Sequence, residues 1–120
     1  MESNKPLFTP RSAWDAAHAL RPTLADALRL YRALTVRAPA PGCEERPVDL
    51  AYFAGVRRLV QAVEQVRAAG AEVDLHRGRL SFPARRAGSD VVLWWTIAEP
   101  QALWLGDAPA EEDGAWEEPG

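Results

Sequence analysis

Residues 70–82, GAEVDLHRGRLSF, decide the fold, because here the spacing of apolar residues changes from that of a helix to that of a strand. Val73 and Leu75 fall on one face of an extended segment, His76-Arg77-Gly78 supplies turn chemistry, and Leu80 and Phe82 return on a second segment. Pro83, which has no backbone N–H to donate, ends that ladder or places it at a sheet edge.

On the N-terminal side, residues 48–69 carry Leu50, Phe53, Val56, Val60 and Val63 at helical spacing, with Leu59 and Val66 widening the stripe. The expectation is a helix that buries this stripe and ends on Gly70 as a left-handed cap. Residues 38–47, APAPGCEERP, cannot continue a helix and read as a hairpin loop. Upstream of the loop, Phe8-Thr9-Pro10 is a helix start, with Thr9 as N-cap and Pro10 at the first helical position. Ala13, Ala17, Leu20, Leu24, Ala27, Tyr31 and Leu34 then follow in alternating steps of four and three, one stripe along a helix. Pro22 predicts a kink or a break near Arg21, since proline clashes with the preceding turn and biases its neighbour away from the helical region. Matching stripes and a short loop predict an antiparallel helical hairpin.

On the C-terminal side, RRAGSD (85–90) supplies a second turn through Gly88, and residues 90–97 form the strongest strand of the chain. Val91, Leu93, Trp95 and Ile97 point to one face, and Val92, Trp94 and Ala98 to the other. A strand apolar on both faces predicts cover on both sides, by the hairpin and by a fourth strand at 102–105, the tail or a second subunit. Of the adjacent tryptophans, Trp95 is expected to be the more deeply buried. The fold class is therefore α+β: a helical hairpin, its first helix kinked or broken near Arg21-Pro22, packed on an antiparallel sheet of three to four strands. Residues 1–106 form one domain and 107–120 an acidic, flexible tail.

With 120 residues, 48% of them apolar, the chain can bury one small core. No apolar run approaches the roughly 20 residues of a membrane span, and MESNKPLF lacks the pattern of a secretory leader, so the expectation is a cytoplasmic protein with no membrane partner. The net charge of −3 hides a split: residues 107–120 hold six acids and no base, leaving 11 acids against 14 bases and a body of about +3. Such a split is that of an interaction or solvating tail.

The ordered residues Phe8-Thr9, Leu20-Arg21-Pro22, Gly70, Phe82-Pro83-Ala84, Gly88, Trp95, Glu99-Pro100 and Trp104 resemble a prokaryotic family catalogued as domain of unknown function 2203. The resemblance covers roughly residues 8–106 and implies a similar fold, but brings no established activity. Where that family has Asp, Cys, Gly and His, this chain has Ser81, Trp94, Ala98 and Leu105. A polar or metal site built on those family residues is thereby lost here.

No phosphate-binding loop, nucleophile elbow or metalloprotease helix occurs in the sequence. One cysteine, Cys43, beside Glu44 and Glu45, has neighbours that oppose thiolate formation, and two histidines, His18 and His76, do not complete a ligand set. No cofactor or metal is expected. Glu99 is the candidate carboxylate, since it follows the most apolar strand, where desolvation suits proton transfer or cation binding, with Trp94 and Trp104 as neighbouring contact residues. Arg77, Arg79, Arg85 and Arg86 form a basic cluster on the hairpin turns, small for a dedicated nucleic-acid footprint. The reading is a non-enzymatic interaction module that self-associates or binds another protein. Anion or nucleic-acid binding through the arginine turns, regulated by the tail, is the alternative, and a small-molecule site or enzyme centred on Glu99 and the tryptophans is a weaker one.

Overall fold

A computed structural model describes residues 7–37, 50–111, 114, 116 and 117. Two helices, α1 (Pro10–Arg37) and α2 (Leu50–Ala68), precede five strands: β1 (Glu72–Asp74), β2 (Arg79–Arg86), β3 (Ser89–Thr96), β4 (Trp104–Leu105) and β5 (Ala108–Pro109). The strands pair in chain order, all antiparallel. The α+β hairpin-on-sheet arrangement matches the sequence reading. The strand count does not: there are five strands rather than three to four, because the chain reverses at Gly106, in the left-handed region (φ 60°), and pairs Leu105 with Ala108.

Both helix ends follow from local chemistry. The Thr9 hydroxyl accepts from the Ser12 amide (3.2 Å) while the Ser12 hydroxyl accepts from the Thr9 amide (2.9 Å), a reciprocal cap that satisfies two of the free donors. At the end of α2, Gly70 has a φ of 93°, its amide reaches the Arg67 carbonyl, and the Ala71 amide reaches the Val66 carbonyl. This paired pattern terminates the helix and turns the chain into β1.

The expected break near Arg21-Pro22 is not found, and α1 runs unbroken through Pro22. Pro22 is exposed, while Ala17 and Leu24 on either side are fully buried, so packing of a stripe that keeps its phase offsets the lost backbone bond. The loop and Cys43 lie outside the described residues, and α2 is described from Leu50, not from 48.

One face of the sheet carries the core. Leu80, Phe82 and Ala84 of β2 and Leu93 and Trp95 of β3 pack with Phe8, Ala13, Ala17, Leu24, Leu28, Val66 and Leu103. Trp95 is 0% exposed, and its indole N–H donates to the Pro100 carbonyl at 3.0 Å. The second face of β3 is not covered as expected: β4 lies beside β3 rather than over it, and Val92 is 53% exposed. The sheet is a single layer with helices on one side.

β1 spans only the Arg79–Ser81 end of β2, leaving the rest of that edge open. Both ends of the chain close it. The Phe8 amide donates to the Pro83 carbonyl (2.8 Å), the Glu117 amide to the Arg85 carbonyl (2.9 Å), and Trp116 bridges to Arg86. An unpaired edge is a template for unwanted pairing, which these contacts block.

The helical hairpin is longer than the sheet beneath it. Leu28 sits over the β1–β2 turn, against Gly78, and Val66 is the last core residue of α2. Beyond Leu28, and before Val66, the helices have mainly each other: Leu34 packs on Gly55, and Asp26 lies 3.6 Å from Arg58. The molecule is correspondingly elongated, 58 × 35 × 24 Å, with a radius of gyration of 17.3 Å. A compact chain of this length would have about 14 Å.

Candidate functional site

On the projecting arm, α2 presents an apolar arc wider than α1 can cover. Successive helical residues lie about 100° apart, so Gly55, Ala62 and Val66 share the side that meets α1 and the core. Val56 and Val63 sit at its margin, half-buried. Farther round, Leu50 is 76%, Phe53 58% and Val60 49% exposed. This corrects the expectation that α2 buries the Leu50, Phe53, Val56, Val60 and Val63 stripe. The periodicity located an apolar face, but the buried side is rotated toward smaller residues, because Gly55 and Ala62 let α1 approach closely. These residues lie on one side of the helix with exposed Arg57 among them, and exposed apolar surface of this kind marks contact with another molecule.

A second feature lies on the outer face of the sheet. Ser81, Trp94 and Trp104 are cross-strand neighbours, and the Trp94 and Trp104 rings stack at 5.5 Å with planes 15° apart. The Arg79 guanidinium caps the stack, 4.0 Å from the Trp94 ring centre, and the Trp94 indole N–H donates to the Gly106 carbonyl at 3.0 Å. The stack is a cross-strand brace over β2, β3 and β4. It leaves the Arg79 Nε and the Trp104 indole N–H without a hydrogen-bond partner among the described residues.

The other arginines of the turn cluster are also engaged. Arg77 lies 3.8 Å from Asp74, whose carboxylate also accepts the His76 and Arg77 amides and so shapes the β1–β2 turn. Arg85 bonds Asp90 at 2.9 Å and Glu117 at 3.4 Å, and Asp90 foremost, then Glu117, raise its pKa above the ordinary arginine value. Arg86 lies over the Trp116 ring, 5.3 Å from its centre. The four arginines thus do not converge on one point. Arg79 faces the tryptophan stack, Arg77 its own turn, and Arg85 and Arg86 the C-terminal segment.

Glu99 lies in the turn after β3, where its amide donates to the Thr96 carbonyl and its carbonyl accepts from the Ala102 amide. Its side chain is exposed, so the desolvation that made it a candidate is absent. The carboxylate makes no hydrogen bond or ion pair to a described residue. His18, read as a helix-flank residue, lies against Trp14 (4.3 Å) and Trp95 (5.8 Å) at the rim of the core. Among the positions where the resembled family carries polar residues, Ser81 and Trp94 are register partners on the outer face, while Leu105 packs toward the core. A cleft of about 330 Å³ between the helices is lined by Asp26, Arg58, Gln61 and Gln65, but Arg29 and Arg58 already neutralise its carboxylate.

No known protein family, curated protein or solved structure matches the chain.

Proposed function

We propose that this chain is a small interaction module that works through the uncovered face of its helical arm. One observation carries the reading: Leu50, Phe53 and Val60 are exposed together on one side of α2, with half-buried Val56 and Val63 alongside. Burying apolar surface is worth about 25 cal/mol per Å², so leaving three such side chains in water forgoes stability that a partner restores. The alternative, anion or nucleic-acid binding at Arg77, Arg79, Arg85 and Arg86, has less support, since each guanidinium faces a neighbour within the chain and the four do not converge on one point. The Glu99 alternative has less support, since its side chain is exposed.

The test is site-specific photo-crosslinking in cells. A photoreactive amino acid at position 53 should give a covalent protein adduct, and the same group at exposed Arg21, on the other helix, should not. Absence of an adduct at position 53, in a protein that is folded and expressed at normal level, refutes the reading.

A further inference from the structure

Resting on that reading, we infer that the occupant of the α2 face is a second copy of this chain, with two arms packed antiparallel into a four-helix bundle. Phe53, Val56, Val60 and Val63 are spaced three, four and three residues apart. This is the heptad seam of helices that pack side by side along their length, and it reads the same in both directions. A two-fold interface places the same patch on both subunits, so a residue and its opposite number exchange roles across the axis. An antiparallel copy of this seam meets that condition: Phe53 faces Val63 of the second copy, Val56 faces Val60, and the axis passes level with position 58 along the helix.

The surroundings fit this arrangement. Arg58 turns away from the seam toward Asp26 of α1, so no buried charge falls on the axis. The arm projects past the sheet, which lets two copies approach without a collision of their sheets. Four helices from two hairpins give each α2 the second apolar neighbour that α1 alone does not supply. Arg57, exposed beside the seam, comes near its own copy. That like-charge pair is relieved by screening, so added salt tightens the dimer, whereas an ionic interface would loosen.

The experiment is sedimentation of the full chain over a concentration series, with Val60→Glu and, as a control, Val92→Glu on the exposed outer sheet face. The expected result is a reversible dimer that strengthens with salt. Val60→Glu should weaken it more than about ten-fold with an unchanged circular dichroism spectrum, and Val92→Glu should leave it intact. Direction is read by crosslinking in a Cys43→Ser background. Arg57→Cys, near the axis, should join to its copy through a short bis-maleimide, and Glu64→Cys, displaced by about 18 Å along the helices, should not. A monomer at all concentrations, a dimer indifferent to Val60→Glu, or equal crosslinking at both sites overturns the inference. A monomer that still gives an adduct at position 53 with a different protein leaves the interaction reading standing and removes only the second copy. A monomer with no such adduct removes both.

Discussion

At the scale of single residues, the two adjacent tryptophans divide the work of β3. Trp95 fills the core with its indole N–H satisfied, so Trp95→Ala should cost about 3–5 kcal/mol, a large share of the stability of a small domain. Trp94→Ala removes a stacked pair and a cation–π contact on an exposed face, and should cost only about 1–2 kcal/mol. Urea unfolding of both variants checks the order, and equal losses would contradict the one-sided sheet. Alternation grouped Trp95 with Val91, Leu93 and Ile97 on the bulkier of two apolar faces, and that face is the buried one. The stack was not, since it depends on the register that sets Trp94 opposite Trp104. Nor could the sequence show that Glu99 would fall in an exposed turn, because a strand's hydrophobicity does not fix where the residues that follow it point.

At the scale of elements, two positions carry conformational strain. The β2–β3 turn holds both Ala87 (φ 50°) and Gly88 (φ 82°) in the left-handed region, the backbone of a two-residue hairpin turn that prefers Asn-Gly. Ala87→Asn should therefore raise stability by about 0.5–1 kcal/mol, read as a higher urea midpoint at unchanged slope. Pro22 interrupts the backbone bonding of α1 on its exposed side. Pro22→Ala should stabilise the protein by about 1–3 kcal/mol, and a loss of stability would show that packing of the proline ring outweighs the missing backbone bond. The start of α1 and the end of α2 were legible because caps are local: Thr9, Pro10 and Gly70 act on neighbours a few residues away. The continuity of α1 through Pro22 was not, since it is decided by the burial of Ala17 and Leu24 against distant strands. The face that α2 buries was misread for a related reason. Apolar spacing shows that a face exists, but only the close approach allowed by Gly55 and Ala62 shows which part meets α1.

At the scale of the whole molecule, the acidic segment and the projecting arm play different parts. Trp116 and Glu117 hold the C-terminal segment to β2 through Arg86 and Arg85, at the edge that β1 leaves uncovered. Exposed ion pairs are worth roughly 0–1 kcal/mol each, so Arg85→Ala should shift the unfolding midpoint only slightly. The charge imbalance was visible in the sequence, but the edge it docks on follows from strand lengths. The arm is what makes the molecule elongated and leaves Leu50, Phe53 and Val60 in water. If that face is an interface between two copies of the chain, hydrogen exchange at low and high protein concentration shows it most directly. Amides of residues 50–63 should exchange more slowly as concentration rises while those of β2 and β3 stay unchanged. Exchange along α2 that is indifferent to concentration, or protection that appears on the sheet instead, would contradict it.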